Sequence, residues 1–307
     1  MTLLQSLSKD RNYYMGTAII LVLFYHLMGA CGSSFKLLKI FMGGYIGVDI
    51  FLFLSGLGLC HSYDNHTLKD FYKRRFVRIY PLFLLFAIIR TLMHANLLNI
   101  NVSLWDWFCN LTTLSYYQIG GFFIDWYLSA LFILYLLFPI FRKKTNIVTI
   151  SLSIALIIII YYFVGKPYWT YDCLISRIPI FMAGIYMHDH PNKFKQLFWG
   201  FTLCLLPAFL LNSSNFLYAT LSTPLLFIAL YALIQPINII KTKHWVEILG
   251  KYSLEIYIGN CLTMEIFHDI IVEKGIDIIV YTFGTILFSI VFVLLGNLYE
   301  QILRRRG

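Results

Sequence analysis

"LVLFYHLMGA", Leu21 to Ala30, is apolar except for one imidazole, His26. The run decides the fold because its kind recurs along the whole chain. Of 307 residues, 59% are hydrophobic, 18% aromatic and only 13% charged, and the mean hydropathy is +0.74. Soluble domains carry about a quarter charged residues. Hydrophobicity this uniform argues against two soluble domains and predicts a single integral membrane domain over residues 1–307. A spanning helix needs about 20 apolar residues. That ruler gives about ten transmembrane helices, at 14–33, 45–63, 79–98, 122–141, 146–164, 173–188, 196–212, 216–235, 250–268 and 276–300. The runs lack the dyad alternation of a barrel wall, so the expected class is an all-α polytopic membrane protein.

Lysine and arginine set the orientation. With the N-terminus inside, the inner loops collect Lys9, Arg11, Lys69, Lys73, Arg74, Arg75, Arg78, Arg142 to Lys144, Lys193, Lys195, Lys241, Lys243, Lys251 and Arg304 to Arg306. The outer loops collect Lys36, Lys39, Lys166 and Lys274. Both termini are therefore expected in the cytoplasm. The net charge of +9 is mostly this asymmetry and is no argument for nucleic-acid binding. None of the six cysteines forms a CxxC or pairs with histidine at zinc spacing, so no metal is expected. Buried free thiols are the expected state, with a disulfide among Cys31, Cys109 and Cys173 as the alternative.

Ionisable groups inside a membrane are expensive and are functional candidates by default. They are His26, Asp49, Arg90, Asp125, Arg177 and Glu255. His26 falls about 18 Å along the first span, just past the midplane. Its chemistry suits a general base, or it hydrogen-bonds across helices. Asp49, in "GGYIGVDIFLFLSG" (Gly43 to Gly56), sits at similar depth. It either orients His26 or gains only from the helix dipole. "FYKRRFVRIYP", Phe71 to Pro81, puts Arg74, Arg75 and Arg78 just inside a span that begins near Pro81. This is either an ordinary positive-inside loop or a phosphate site built with helix N-terminal amides. Trp105, Trp107, Tyr116 and Tyr117 form an outer aromatic belt or a surface that stacks on a sugar. His188-Asp189-His190 is read as a solvated inner loop, and His61, His66, His94, His244 and His268 as interfacial.

Six segments occur in order: "AIILVLFYH", "GGYIGVDIFLFLSG", "FYKRRFVRIYP", "WYLSALFILYLLFP", "RIPIFMAGI" and "LGKYSLEIYIGN". Together they resemble the acyltransferase-3 family of integral membrane acyltransferases, from the first span to about Cys261. The resemblance implies transfer of an acyl group, usually acetyl, from cytoplasmic acyl-CoA to an extracytoplasmic carbohydrate hydroxyl. It implies a bacterial cytoplasmic membrane. His26 matches the family's essential first-helix histidine, and Arg74, Arg75 and Arg78 match its basic motif. Gly47, Val48, Asp49, Ser55, Gly56, Trp126, Arg177 and Tyr257 match recurrent positions. Two positions depart. Met15 stands where the family commonly has Arg or Lys, with Arg11 one turn away as a substitute, and Asn260 stands where a histidine is frequent.

The joined expectation is a metal-free O-acetyltransferase of the cell envelope. His26 and Asp49 are catalytic, with Asp49 orienting His26, which either takes the acceptor's hydroxyl proton or carries the acyl group transiently. Arg11, Arg74, Arg75 and Arg78 bind the acetyl-CoA phosphates. Trp126, Arg177, Glu255 and Tyr257 line the substrate path. The competing reading is a transporter or flippase of a lipid-linked glycan with His26 as proton relay.

Overall fold

The computed structural model describes residues 3–31, 42–96, 100–118, 126–165, 167–237, 242–271 and 278–306. These residues are helical with short connections, and no strand occurs among them. The first helices are α1 (Leu3–Lys9), α2 (Arg11–Cys31), α3 (Gly47–Asp64), α4 (Leu68–Asn96) and α5 (Leu104–Leu111). The middle of the chain gives α6 (Trp126–Leu136), α7 (Phe138–Lys144), α8 (Ile147–Phe163), α9 (Trp169–Ile175) and α10 (Ile178–Asp189). The last are α11 (Phe194–Leu210), α12 (Asn215–Ile237), α13 (Thr242–Lys251), α14 (Ser253–Ile271) and α15 (Ile278–Arg306).

Among the described residues, four helical segments are long and apolar enough to cross a bilayer: Met42–Asp64, Leu68–Asn96, Asn215–Leu233 and Ile278–Leu303. A fifth is formed if α6 and α7, bent by 59°, count as one span. Pro139, in the first turn of α7, sits at that break, where its ring and missing N–H interrupt the helix. Residues 173–188, expected as one span, are split between α9 and α10. Exposed apolar side chains recur along α15 at Ile279, Phe283, Ile286, Ile290, Leu294 and Leu298. Spaced three or four apart, they make one greasy stripe of the kind a lipid-facing helix presents. The described residues are those of an all-helical membrane protein.

The chain folds into two compact units. The first comprises Met1–Ala18, Tyr45–His66 and Trp126–Gly250, and the second Ile19–Gly44, Thr67–Asp125 and Lys251–Gly307.

In the first unit α3 and α10 run parallel and touch backbone to backbone. A Cβ on Gly56 would meet the Phe181 carbonyl oxygen at 2.3 Å, and a Cβ on Gly184 would meet that of Phe53 at 2.1 Å. Small residues at a helix crossing are how packing succeeds where no hydrophobic drive separates protein from lipid. The C-terminal ends of both helices are joined by Arg142 of α7. Its Nη2 donates to Asp64 Oδ2 and Asp189 Oδ1, each at 3.0 Å, and its Nη1 donates to Asp189. Asp189, in the expected solvated loop, is thus an anchor, while His190 stacks on Tyr186.

In the second unit α14 packs against α15 and α4, and α5 covers α4. A Cβ on Gly259 would meet the Ser289 nitrogen at 2.6 Å, so α14 and α15 lie in backbone contact there. One boundary differs from the sequence reading. Pro81 is inside α4, which begins thirteen residues earlier at Leu68. The Thr67 hydroxyl accepts from the Asp70 amide at 3.2 Å and donates to the Asp70 carboxylate at 2.7 Å. This cap starts the helix ahead of the arginines. Arg74, Arg75 and Arg78 therefore lie on helical turns, and the N-terminal amides expected to share their phosphate site belong to residues upstream.

Candidate active site

His26 lies on α2 in the second unit and is half-buried. Its Nδ1 is 2.5 Å from Asn260 Oδ1 on α14. Asn260 is fully buried. Its Nδ2 donates to Tyr281 Oη at 2.5 Å and to Thr285 Oγ1 at 3.2 Å, both on α15. The Gly259 contact brings α15 close enough for those two bonds. Nε2 of His26 has no hydrogen-bond partner among the described residues and is the edge open to chemistry. Tyr257, one turn before Asn260 on α14, is buried.

Arg74 and Arg78 are exposed on the same face of α4, four residues apart, and Arg75 is half-buried with its guanidinium 5.9 Å from the Phe71 ring centre. Glu255, in the first turn of α14, is half-buried. Its Oε1 lies close to Gly296 of α15, where a Cβ would come within 3.3 Å. The three arginines thus lie near the start of α4, with Asp70, and Glu255 near the start of α14, ends expected to face the cytoplasm.

The first unit holds a different constellation. Asp49 in the first turn of α3 and Arg177 at the N-cap of α10 are both fully buried. Arg177 Nε lies 3.5 Å from Asp49 Oδ2, and Nη1 donates to the Cys173 carbonyl at 3.2 Å. The Thr220 hydroxyl of α12 donates to Asp49 Oδ1 at 2.6 Å. Trp126 of α6 and Phe216 of α12 flank the guanidinium, with ring centres 4.6 and 4.7 Å away. A buried ion pair costs desolvation, and two aromatic faces and a hydroxyl offset part of it. Arg177 Nη2 has no hydrogen-bond partner among the described residues. Arg11 opens α2 in this unit, and its guanidinium lies against Gly58, 3.5 Å from where a Cβ would stand.

Asp49 and His26, expected to pair, lie in different units, and each has partners within its own unit. Asp49 spends its carboxylate on Arg177 and Thr220, and the residue that holds His26 is Asn260. Sequence reasoning singled out Asn260 only as a departure, and missed Tyr281, Thr285, Thr220 and Phe216. It also missed Glu265 and placed His94 at the interface. His94 of α4 is 2% exposed, and its Nε2 lies 2.7 Å from Glu265 Oε1 of α14. Nearby on α4, Arg90 is fully buried against Phe86 and donates to Asn110 Oδ1 of α5 at 3.3 Å. Asp125 falls outside the described residues. Cys60, Cys109, Cys173, Cys204 and Cys261 are free thiols, and Cys31 has no described side chain.

The family model described as "Acyltransferase domain" matches residues 16–296. The chain belongs to the acyltransferase-3 family. The match spans both units and contains His26, Asn260, Asp49 and Arg177. A curated relative named "Putative acetyltransferase ORF330", from Acidianus two-tailed virus, is 28% identical over 176 residues. That alignment covers 55% of this chain and 52% of the relative, so the chain spans about half the length of the curated protein it matches. No solved structure matches.

Proposed function

We propose that the protein is a membrane-embedded O-acyltransferase with both termini in the cytoplasm of a bacterial cell. It moves an acyl group, acetyl by the family's habit, from cytoplasmic acyl-CoA to a hydroxyl of an extracytoplasmic carbohydrate. The observation that carries this reading is His26, a half-buried imidazole held through Nδ1 with Nε2 open, in a chain of this family.

The chemistry is balanced by one base. The acceptor oxygen attacks the thioester carbonyl, a C–O bond forms and the C–S bond breaks. The hydroxyl proton passes to Nε2 of His26 and from there to the departing sulfur. Arg74, Arg75 and Arg78 hold the phosphates of the donor. Glu255 and Tyr257 line the route that the pantetheine arm follows along α14. In the other unit, Trp126 and Arg177 offer an aromatic face and a spare guanidinium N–H, groups that suit a carbohydrate acceptor. Asp49 keeps that guanidinium in place. The parallel run of α3 and α10 supports the expected topology, in which both descend from outside to inside.

One observation favours the transporter reading: the buried His94–Glu265 pair supplies an acidic partner of the kind a proton relay uses. Purified protein in lipid, supplied with acetyl-CoA and a carbohydrate acceptor, decides between them. Acyltransfer predicts release of free CoA by the wild type and its loss in His26→Ala, with both proteins folded and both binding acetyl-CoA. Failure of every acyl donor to bind or turn over, with glycan movement across the vesicle wall, would establish the transporter instead.

A further inference from the structure

We infer that Asn260 is a positioning residue that fixes the tautomer of His26, holding the proton on Nδ1 so that Nε2 is the base. The catalytic consequence rests on the acyltransfer reading above. The tautomer itself does not.

A side-chain amide has two N–H donors and one accepting oxygen. Asn260 is fully buried, so each unmade bond would carry a desolvation cost that water cannot relieve. Tyr281 Oη and Thr285 Oγ1 both lie within reach of Nδ2, at 2.5 and 3.2 Å, and take both N–H donors. Oδ1 then faces His26 at 2.5 Å. Oδ1 can only accept, so Nδ1 must carry the proton. The amide turned end for end would have Nδ2 donate one N–H to His26 and leave its second N–H buried without a partner. This orientation satisfies every donor and acceptor of the amide, and it selects one tautomer.

The identity of this group carries its own information. In serine hydrolases a carboxylate both orients the imidazole and stabilises its charged form. Asn260 can do only the first. Acyl transfer from a thioester asks less of the base than amide hydrolysis does, because thiolate is a good leaving group. A neutral acceptor in this hydrocarbon setting orients His26 without adding a second buried charge. The two α15 hydroxyls complete the device, and the close Gly259–Ser289 approach keeps them in range. The spacing explains why the device is invisible in sequence: its members come from α2, α14 and α15.

Nitrogen-15 spectra of histidine-labelled protein in lipid test it, with the His26 signals assigned by their absence in His26→Gln. The His26→Gln spectrum serves only for assignment, and the tautomer is read on the wild-type protein. A directly bonded proton on Nδ1 and a bare Nε2 are expected, and the reverse overturns the inference whatever the protein's activity. Asn260→Leu is expected to redistribute the proton toward Nε2 and to lower kcat by about 10²-fold or more, with KM for acetyl-CoA moving far less. Asn260→Asp keeps an accepting oxygen, so it restores the Nδ1 proton and recovers at least about tenfold of that loss. Wild-type kcat in Asn260→Leu would overturn the positioning role. An Nδ1 proton in a protein that turns over no acyl donor would leave the tautomer standing and remove the acyltransfer reading.

Discussion

Two histidines in the same unit are held by the same helix, α14, in opposite ways. His26 is half-buried and bonded to a neutral amide, with one ring nitrogen open. His94 is 2% exposed and bonded to a carboxylate, Glu265, which is itself 6% exposed. An imidazole that must exchange protons with a visitor needs an open edge and a partner that leaves its charge free to change. An imidazole that ties two helices together needs neither. On the reading proposed above, the partner, more than the histidine, separates a proton-exchanging group from a tie, and in a membrane both would look alike in composition.

Mutation should split the two. His26→Gln is expected to lower CoA release by about 10²- to 10⁴-fold, the worth of a general base, while thermal unfolding in detergent barely moves. A large fall in Tm with modest loss of rate would reverse the comparison. Arg177→Met supplies the case of a charge pair in the other unit. It leaves Asp49 buried with only Thr220 for a partner, and a loss of about 3 kcal/mol or more is expected in chemical unfolding. Asp49→Leu combined with Arg177→Met should recover most of it, because the lone charge is then gone. His94→Leu leaves the Glu265 carboxyl buried without its bond, at a cost of about 2 kcal/mol. Replacing both residues by leucine should restore stability, and activity should follow stability alone.

The smallest effect belongs to the rim. Burial pushes the Asp189 carboxyl up, but the Arg142 and His188 hydrogen bonds outweigh it and hold the group below the usual carboxylate range. A lowered value in the folded state means stability that is fully present above the ordinary carboxylate value and lost as pH falls through the lowered one. Asp189→Asn should therefore be less stable than the wild type at neutral pH by about 1 kcal/mol at most, since the group is partly exposed. Melting curves of the two should converge below about pH 4. A gap that persists in acid would show that Arg142 acts on Asp189 through packing and not charge.

Much of the fold was open to reading. Uniform hydrophobicity demanded helices in a bilayer, and the membrane class followed. Boundaries were harder. Pro81 looked like a first-turn proline because an apolar run follows it, whereas the Thr67–Asp70 cap, a short polar signal in a charged stretch, set the true start of α4. His26, Asp49 and Arg177 stood out singly because each is an ionisable group in apolar surroundings. Their partners did not. A hydrogen bond between residues 234 apart, as between His26 and Asn260, leaves no trace in local pattern. Glu265 escaped notice for a related reason: it and His94 each sit near the end of an apolar run, where charge is ordinary, and only the packing of α14 on α4 buries them together.

The glycine crossing of α3 and α10 has a consequence for how this chain can vary in length. Asp49 lies seven residues before Gly56, and Arg177 lies seven residues before Gly184. The two helices are thus pinned at the glycines and read out in step, about two turns away, where acid meets base. One residue inserted between glycine and charge on either helix would turn that charge by about 100° and leave both groups stranded. Residues 49–56 and 177–184 therefore form a matched pair of rulers, and natural insertions and deletions in this unit should fall in the connections outside them.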